Sequence, residues 1–306
     1  MPASRKPAPL SAGDRVAIVA PASPFDREKF GRGVEALRAI GLAPEHADGV
    51  FSRHPEESAF LAGDDARRLA ELRAAIAGEA RAIVLARGGY GVMRLLQGAA
   101  PLRADEVAAR PKLVIGYSDA TALHELWKRA GVASIHGPMC TQLGEDASAL
   151  ERLRALLFDD RPPPPIAWDP MHPLGARDGR AEGELRGGNL AVLAALCGTP
   201  LQPSFRGAIA LLEDLNEPPY KLDRLLTQLL LAGSFDGVRG VVVGDLVAPG
   251  EPSVGRAEAV AERLSSLGVP VAFGAPFGHA GRNQPVAFGT LHELDAGRGR
   301  LVPLEG

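Results

Sequence analysis

Short apolar runs alternate with helix-type patterns through the first half of the chain. These runs predict buried strands over residues 14–20, where the apolar part begins at Val16, and over residues 82–86, 113–115 and 132–135. Between them, apolar residues recur every three or four positions, as on the inner face of a helix; Leu123, Leu126 and Trp127 are one such set. Strands that alternate with helices predict an α/β fold with a parallel sheet covered on both faces.

The alternation is interrupted between residues 146 and 182 and then resumes. The interruption contains a proline run at 162–165, which is typical of a semi-rigid connector. A chain of 306 residues also exceeds the usual size of a single hydrophobic core. We therefore predict one domain over residues 1–145, a linker over 146–182 and a second domain over 183–306.

The segment 112–121 is the strongest candidate for chemistry in the first domain. It runs from an apolar strand through Gly116 into a helix, and it places Ser118 on the turn. A serine there lies at the carboxyl end of a parallel strand, where such sheets bind ligands, and beside the free N–H groups of a helix N-terminus. It could be a nucleophile with half of an oxyanion hole beside it, or only the N-cap of the helix, for which serine is also preferred. This segment alone does not decide between the two.

A serine nucleophile needs a base and an acid that orients the base, and the second domain offers both at strand ends. Glu213 follows the apolar run 208–212, and strand alternation places Asp214 on the opposite face. His279 lies in a glycine-rich loop directly after a strand. Taken singly, Glu213 reads as a solvated strand-end acid and His279 as a surface histidine. Taken together with Ser118, they fit a catalytic triad.

The loop at residues 87–91 reads Arg-Gly-Gly-Tyr-Gly and also follows a predicted strand. Gly88 and Gly89 allow backbone N–H groups to approach an anion or an oxyanion. His136 ends another strand beside these loops and is a candidate for substrate binding. No nucleotide-binding glycine motif follows the first strand, and no residue spacing typical of a metal site occurs. We expect the protein to use neither a metal nor a cofactor.

Composition and charge exclude several classes of partner. The formal net charge of −3 comes from evenly mixed signs, so we expect no basic surface for nucleic acid. No apolar run is long enough to cross a bilayer, and the basic start is followed by Ser11 and Asp14 instead of the apolar core of a signal peptide. We expect a cytoplasmic protein without a membrane partner, in which Cys140 and Cys197 stay reduced.

Several sequence strings occur together in a specific order. The most specific are Arg-Gly-Gly-Tyr-Gly at 87–91 and Gly-Tyr-Ser-Asp at 116–119, and the others lie at 136–139, 187–190, 212–214 and 278–279. With these motifs in this order, the chain resembles the LD-carboxypeptidase family of serine peptidases. The resemblance covers most of the chain apart from the tail and the linker.

The resemblance implies a Ser-Glu-His triad divided between the two domains. Ser118 is then the nucleophile, His279 the base and Glu213 the acid that orients the base. Beside this triad, we predict Asp119, Gly88 and Gly89 for binding of the oxyanion, and Tyr90 and His136 for binding of the substrate.

The resemblance also implies a fold, an activity and an assembly. The fold is a flavodoxin-like parallel-sheet N-terminal domain joined to a smaller swivelling β/β/α C-terminal domain, and the protein is expected to be a homodimer. The activity is removal of the terminal D-alanine from murein tetrapeptides in peptidoglycan recycling, so the implied partner is a small peptide substrate. One branch of the family instead inactivates peptide-nucleotide antibiotics such as microcin C.

Two readings from other classes stay open beside this one. The chain could be a two-domain protein that binds a peptide without cleaving it, although such proteins are commonly exported and no signal peptide is visible. It could also be an α/β-hydrolase that acts on esters. That reading is disfavoured because Ala120 stands where the G-x-S-x-G motif has its second glycine.

Overall fold

The computed structural model describes residues 4–53, 60–159, 161–248 and 255–305. These residues divide into two compact units. The first contains the chain up to residue 159 together with Pro285–Ala287, and the second contains residues 161–284 and 288–305. Each unit is built around its own sheet, so the predicted division into two α/β domains is confirmed at this level.

The strands are numbered along the chain. They are β1 Arg15–Val19, β2 Ala43–Glu45, β3 Ala82–Leu85, β4 Leu113–Gly116, β5 Ser134–His136, β6 Ile166–Ala167, β7 Arg180–Asn189, β8 Ala208–Leu215, β9 Gly240–Val247, β10 Val271–Phe273, β11 Val286–Phe288, β12 Leu291–Asp295 and β13 Arg300–Pro303.

The α-helices are numbered in the same way. They are α1 Arg27–Ala39, α2 Asp65–Ala77, α3 Ala104–Ala109, α4 Thr121–Arg129, α5 Ala147–Phe158, α6 Leu190–Ala195, α7 Pro219–Leu231 and α8 Arg256–Ser265. Short 3₁₀ helices lie at Asp48–Phe51, Val92–Leu96, Ser118–Ala120 and Cys140–Gln142. In the part of the chain that the structure describes, no helix is both long and apolar enough to cross a membrane.

The first sheet has the strand order β2-β1-β3-β4-β5, with β11 added beside β5. The neighbouring pairs from β2 to β5 are parallel, and this order is that of flavodoxin-like folds. The order reverses between β1 and β3, and in such sheets ligands bind beyond the carboxyl ends of the strands at this position. Apolar side chains from the strands and from α1 and α5 form the core of the unit.

The second sheet has the order β10-β9-β8-β7-β12-β13-β6. Its half from β7 to β10 is parallel, and the strands from β12 to β6 pair antiparallel. One face of the parallel half packs on α6, α7 and α8 through Leu193, Leu212, Leu226, Val243 and Val260. This mixed sheet agrees with the β/β/α domain that the family resemblance implied.

The observed boundary between the units differs from the predicted linker over residues 146–182. Helix α5 lies in this range, but Leu153, Leu156 and Leu157 are buried in the core of the first unit. Strand β6 belongs to the second sheet and β7 begins at Arg180. The proline run therefore follows the end of the first unit, and the segment around it is shorter than predicted.

Candidate active site

Ser118 lies directly after β4, at the start of the 3₁₀ helix that leads into α4. Its φ of 60° is in the left-handed region, which a residue with a Cβ adopts only at a cost in free energy. At these two helix starts, both within the described residues, no side chain forms a capping hydrogen bond. Ser118 is half-buried and is the N-cap residue of neither helix, so the geometry does not support its reading as a cap.

The glycine loop after β3 approaches Ser118 closely. A Cβ placed on Gly88 would lie 3.2 Å from the Cβ of Ser118 and 3.4 Å from its Oγ. The loop also packs on the turn after β1, since the Ser23 N–H donates to the Gly88 carbonyl (3.2 Å) and the Tyr90 N–H donates to Ser23 Oγ (3.1 Å). The structure therefore places Gly88 beside Ser118 and Gly89 beside Ser23, and the assignment of the two glycines to an oxyanion site stays a prediction.

Asp119 connects the Ser118 turn to the glycine loop through its side chain. The carboxylate is buried and accepts a hydrogen bond from the Val92 N–H at 2.8 Å. Burial raises the pKa of Asp119 to about 6, while the hydrogen bond from Val92 and the charge of Arg68 act in the opposite direction. Above that pH the carboxylate holds the start of the 3₁₀ helix at Val92 against the Ser118 turn.

Arg68 is a second support of this region that the sequence did not predict. Its side chain is fully buried, and its Nη1 donates to the carbonyls of Pro21 and, at 2.9 Å, of Gly91. It thereby connects the loops after β1 and β3 at the carboxyl edge of the sheet. A charged residue on a helix is normally expected to face solvent, so the sequence of the helix did not predict the burial of Arg68. The only sign of close packing in the sequence was the glycine and proline at the ends of the neighbouring strands.

Glu213 and His279 form a buried hydrogen-bonded pair in the second unit. His279 Nδ1 lies 2.7 Å from Glu213 Oε2, with 12% of the histidine side chain and none of the glutamate side chain exposed. The predicted pairing is thus present within this unit. The expectation that β8 ends at Glu213 is wrong, because the strand continues to Leu215 and Glu213 lies inside it.

The electrostatic environment of His279 favours its protonated form. Burial acts to lower the pKa of His279, but the hydrogen bond and negative charge of Glu213, with smaller contributions from Asp214 and Asp245, raise it overall. A histidine with a raised pKa and a carboxylate on Nδ1 has the properties of a general base whose conjugate acid is stabilised.

Asp214 points away from this pair, as strand alternation predicted. Its Oδ2 accepts from the Ala191 N–H at 2.8 Å, at the start of α6, and its Oδ1 accepts from the Leu215 N–H at 2.7 Å. Burial, followed by the charge of Glu213, raises the pKa of Asp214 to about 7. Its contacts assign it to the packing of α6 on the sheet.

The two expected substrate-binding residues differ in exposure. Tyr90 is 49% exposed, and its ring packs edge-on against Phe60, which is 50% exposed, at a centroid distance of 5.5 Å. His136 is completely buried and packs against Tyr117 with ring centroids 5.8 Å apart. Its burial does not favour the predicted substrate contact and instead indicates a role in packing behind the nucleophile strand.

Another histidine, His124, supports the same strand. It is buried on α4, with Nε2 3.0 Å from the Gly116 carbonyl and Nδ1 2.9 Å from Ser134 Oγ. Burial lowers the pKa of His124 to about 4, so it is neutral at physiological pH. Within the described ranges, no group of three or more His, Cys, Asp or Glu side chains is arranged to hold a metal ion.

Known proteins are similar to this chain in sequence. A putative carboxypeptidase of Streptomyces coelicolor is 43% identical over 97% of this chain and 95% of its own length. The murein tetrapeptide carboxypeptidase of Pseudomonas aeruginosa is 32% identical, covering 93% of this chain and 94% of that protein. The microcin C7 self-immunity protein of Escherichia coli is 26% identical over 78% of this chain and 77% of its own length.

Structural comparison and family models agree with these relatives. The crystal structure of muramoyltetrapeptide carboxypeptidase from Oxalobacter formigenes matches with a TM-score of 0.78 at 26% identity, covering 94% of this chain and 97% of that one. The models of the N-terminal and C-terminal domains of LD-carboxypeptidases match residues 16–137 and 182–294. On this combination of sequence, fold and matched domains, the chain belongs to the LD-carboxypeptidase family.

Proposed function

We propose that the protein is a serine carboxypeptidase that removes the terminal D-alanine from murein tetrapeptides. The observation that carries the proposal is the buried Glu213–His279 hydrogen bond of 2.7 Å in a chain whose Ser118 lies on a strained turn. The near-full-length similarity to a murein tetrapeptide carboxypeptidase supports the substrate class.

In the proposed mechanism, Ser118 Oγ attacks the carbonyl carbon of the scissile bond and transfers its proton to His279 Nε2. Glu213 accepts a hydrogen bond from Nδ1–H, which fixes the tautomer in which Nε2 carries no proton and can accept one. His279 then protonates the leaving nitrogen of D-alanine, and the acyl group stays on Ser118 Oγ. Water, deprotonated by His279, releases the shortened peptide.

The oxyanion of each tetrahedral intermediate binds two backbone N–H groups in this proposal. One comes from Asp119 and the other from the loop that contains Gly88 and Gly89. The close approach of Gly88 to Ser118 supports this assignment, because a side chain at position 88 would occupy the space beside Oγ. Loss of one such donor typically costs about 3–4 kcal/mol of transition-state stabilisation.

A second candidate activity is hydrolysis of a peptide-nucleotide antibiotic, which the similarity to a microcin C7 self-immunity protein favours. The deciding experiment incubates the protein with murein tetrapeptide, murein pentapeptide and an aminoacyl-sulfamoyl nucleotide, and follows each by mass spectrometry. We expect D-alanine release from the tetrapeptide, whose donor centre is L-configured, and little from the D-Ala–D-Ala end of the pentapeptide. An inverted donor centre would displace the scissile carbonyl from its attack geometry.

Two outcomes contradict the proposal. Cleavage of the nucleotide conjugate alone assigns the protein to antibiotic immunity, and cleavage of none assigns it to peptide binding. S118A protein serves as the matched control for contaminating peptidases. A cytoplasmic homodimer acting in peptidoglycan recycling completes the proposal, and size-exclusion chromatography with light scattering tests the dimer.

A further inference from the structure

We propose that Asp245 is a positioning residue for His279, acting through the backbone of the loop 277–280 and through its own negative charge. The inference rests on the proposed role of His279 as the base. It concerns a residue on β9 that the sequence did not single out.

Asp245 contacts the His279 loop on both sides of the histidine. Its N–H donates to the Phe277 carbonyl at 2.8 Å, and its Oδ2 accepts from the Ala280 N–H at 2.6 Å. These two hydrogen bonds flank Gly278 and His279, and they fix the backbone from which the imidazole projects. The imidazole of His279 therefore depends on Asp245 for its direction as well as on Glu213.

Gly278 shows how closely the two acidic side chains converge under this loop. A Cβ at Gly278 would lie 3.0 Å from the Asp245 Cβ and 3.1 Å from Glu213 Oε2. The residue also has a φ of 119°, which only glycine adopts readily. The lack of space for a Cβ and the positive φ both require glycine at this position. They arise because the loop packs directly on Asp245 and Glu213.

An irregularity in the sheet places Asp245 on this side. Leu212 pairs with Val243 and Asp214 pairs with Leu246, so Glu213 lies opposite the two residues Gly244 and Asp245. In a regular strand the residue two positions after Val243 would face the helix-covered core with it. The extra residue of the bulge instead turns Asp245 toward the face of Glu213, and bulges of this kind commonly re-aim side chains next to active sites.

The charged groups that face Asp245 are Glu213 from β8 and His279 and Arg282 from the loop. Burial, together with the charge of Glu213, raises the pKa of Asp245 to about 6, against the effect of the Ala280 hydrogen bond and the two cations. Asp245 is therefore ionised at pH 7 to 8, and it adds a third carboxylate near His279, after those of Glu213 and Asp214, that favours the imidazolium.

The test measures the His279 pKa directly, by NMR titration of the imidazole in full-length S118A protein. Asp245→Asn retains a carbonyl oxygen for the Ala280 N–H but removes the charge, and Asp245→Ala removes both. We expect D245N to lower the His279 pKa by about half a unit or more. Asp223→Asn is the control, because Asp223 pairs with Arg263 on the helical side of the sheet. We expect this substitution to leave the His279 pKa unchanged.

Turnover in the wild-type background separates the positional effect from the effect of charge. We expect D245A to lower kcat by about tenfold or more, with KM changed less than about threefold, because the loop that aims the base is released. A His279 pKa that moves less than about 0.2 units in D245N and a kcat of folded D245A within about twofold of wild type would overturn the inference. If D245A does not fold, the D245N titration alone decides.

The two proposals fail separately. A protein that cleaves none of the three substrates refutes the proposed function, whereas the NMR titration does not need turnover and still decides whether Asp245 controls His279.

Discussion

The nucleophile and its proposed base are positioned by different means. Ser118 projects from a strained backbone turn between β4 and α4, and its direction follows from the main chain. His279 lies in a loop with two glycines nearby, and its direction follows from hydrogen bonds to Glu213 and to the backbone around it. The backbone at Ser118 is therefore held under strain, whereas the orientation of His279 depends on buried carboxylates.

The largest expected effect is loss of the nucleophile. Ser118→Ala should lower kcat by about 10⁴–10⁶, since the members of a triad act as a unit. Ser118→Gly should be equally inactive but more stable than S118A, by about 1 kcal/mol, because glycine adopts a positive φ without strain. Steady-state kinetics and urea unfolding measure both. Retention of activity within about tenfold removes Ser118 from the mechanism. Equal stability of S118A and S118G would show that the backbone at Ser118 is not strained.

The next largest effect is expected from loss of the buried Glu213 carboxylate in the second unit. Glu213→Gln should lower kcat by about 10³–10⁴, because an amide no longer selects the productive histidine tautomer. Glu213 also raises the pKa of His279, so the acidic limb of kcat/KM, where the imidazolium cannot act as base, should move to lower pH in E213Q. The double variant with S118A should lose no more than S118A alone. An acidic limb that stays in place contradicts the assignment of Glu213.

A third prediction concerns Arg68, which holds the loops beside Ser118 in place. Arg68→Met removes the hydrogen bonds to the Pro21 and Gly91 carbonyls and leaves both buried. We expect a loss of about 3 kcal/mol in the free energy of unfolding and a lower kcat, because the glycine loop loosens against Ser118. Arg73→Met is the control, since Arg73 pairs with Glu106 near the surface and should cost less than about 1 kcal/mol. Equal losses in the two variants contradict the role of Arg68.

Sequence patterns predicted the elements whose residues are uniformly apolar. Strands β1, β3 and β4 are continuous apolar runs, and the structure confirms them with small shifts of their ends. Strand β7 was missed because Arg180–Asn189 contains charged and glycine residues, of which Glu184 and Arg186 are buried as a pair. Burial of paired charges depends on tertiary contacts, which periodicity along the chain does not encode.

The same limit applies to the candidate site. Glu213 and His279 could be selected because each follows an apolar run, and the structure places them in contact. Arg68 and Asp245 could not, since an arginine on a helix and an aspartate in a strand read as solvated until their neighbours are known. The bulge that turns Asp245 arises from pairing between two strands, so neither strand alone predicts it.

The smallest effect on activity is expected at Asp214, the carboxylate next to Glu213 on the opposite face of β8. Asp214→Asn should change kcat by less than about tenfold, because Asp214 contacts α6 instead of the His279 loop; a loss larger than that of E213Q would make Asp214 the orienting acid. The pH dependence of stability should change more. With its pKa raised to about 7, the folded protein keeps a proton that the unfolded chain releases near pH 4, so the free energy of unfolding declines as the pH rises from 4 to 7. D214N cannot titrate, and urea unfolding at pH 5 and pH 7 should show a smaller decline than wild type. An unchanged decline would mean that the charge of Asp214 is not buried as described.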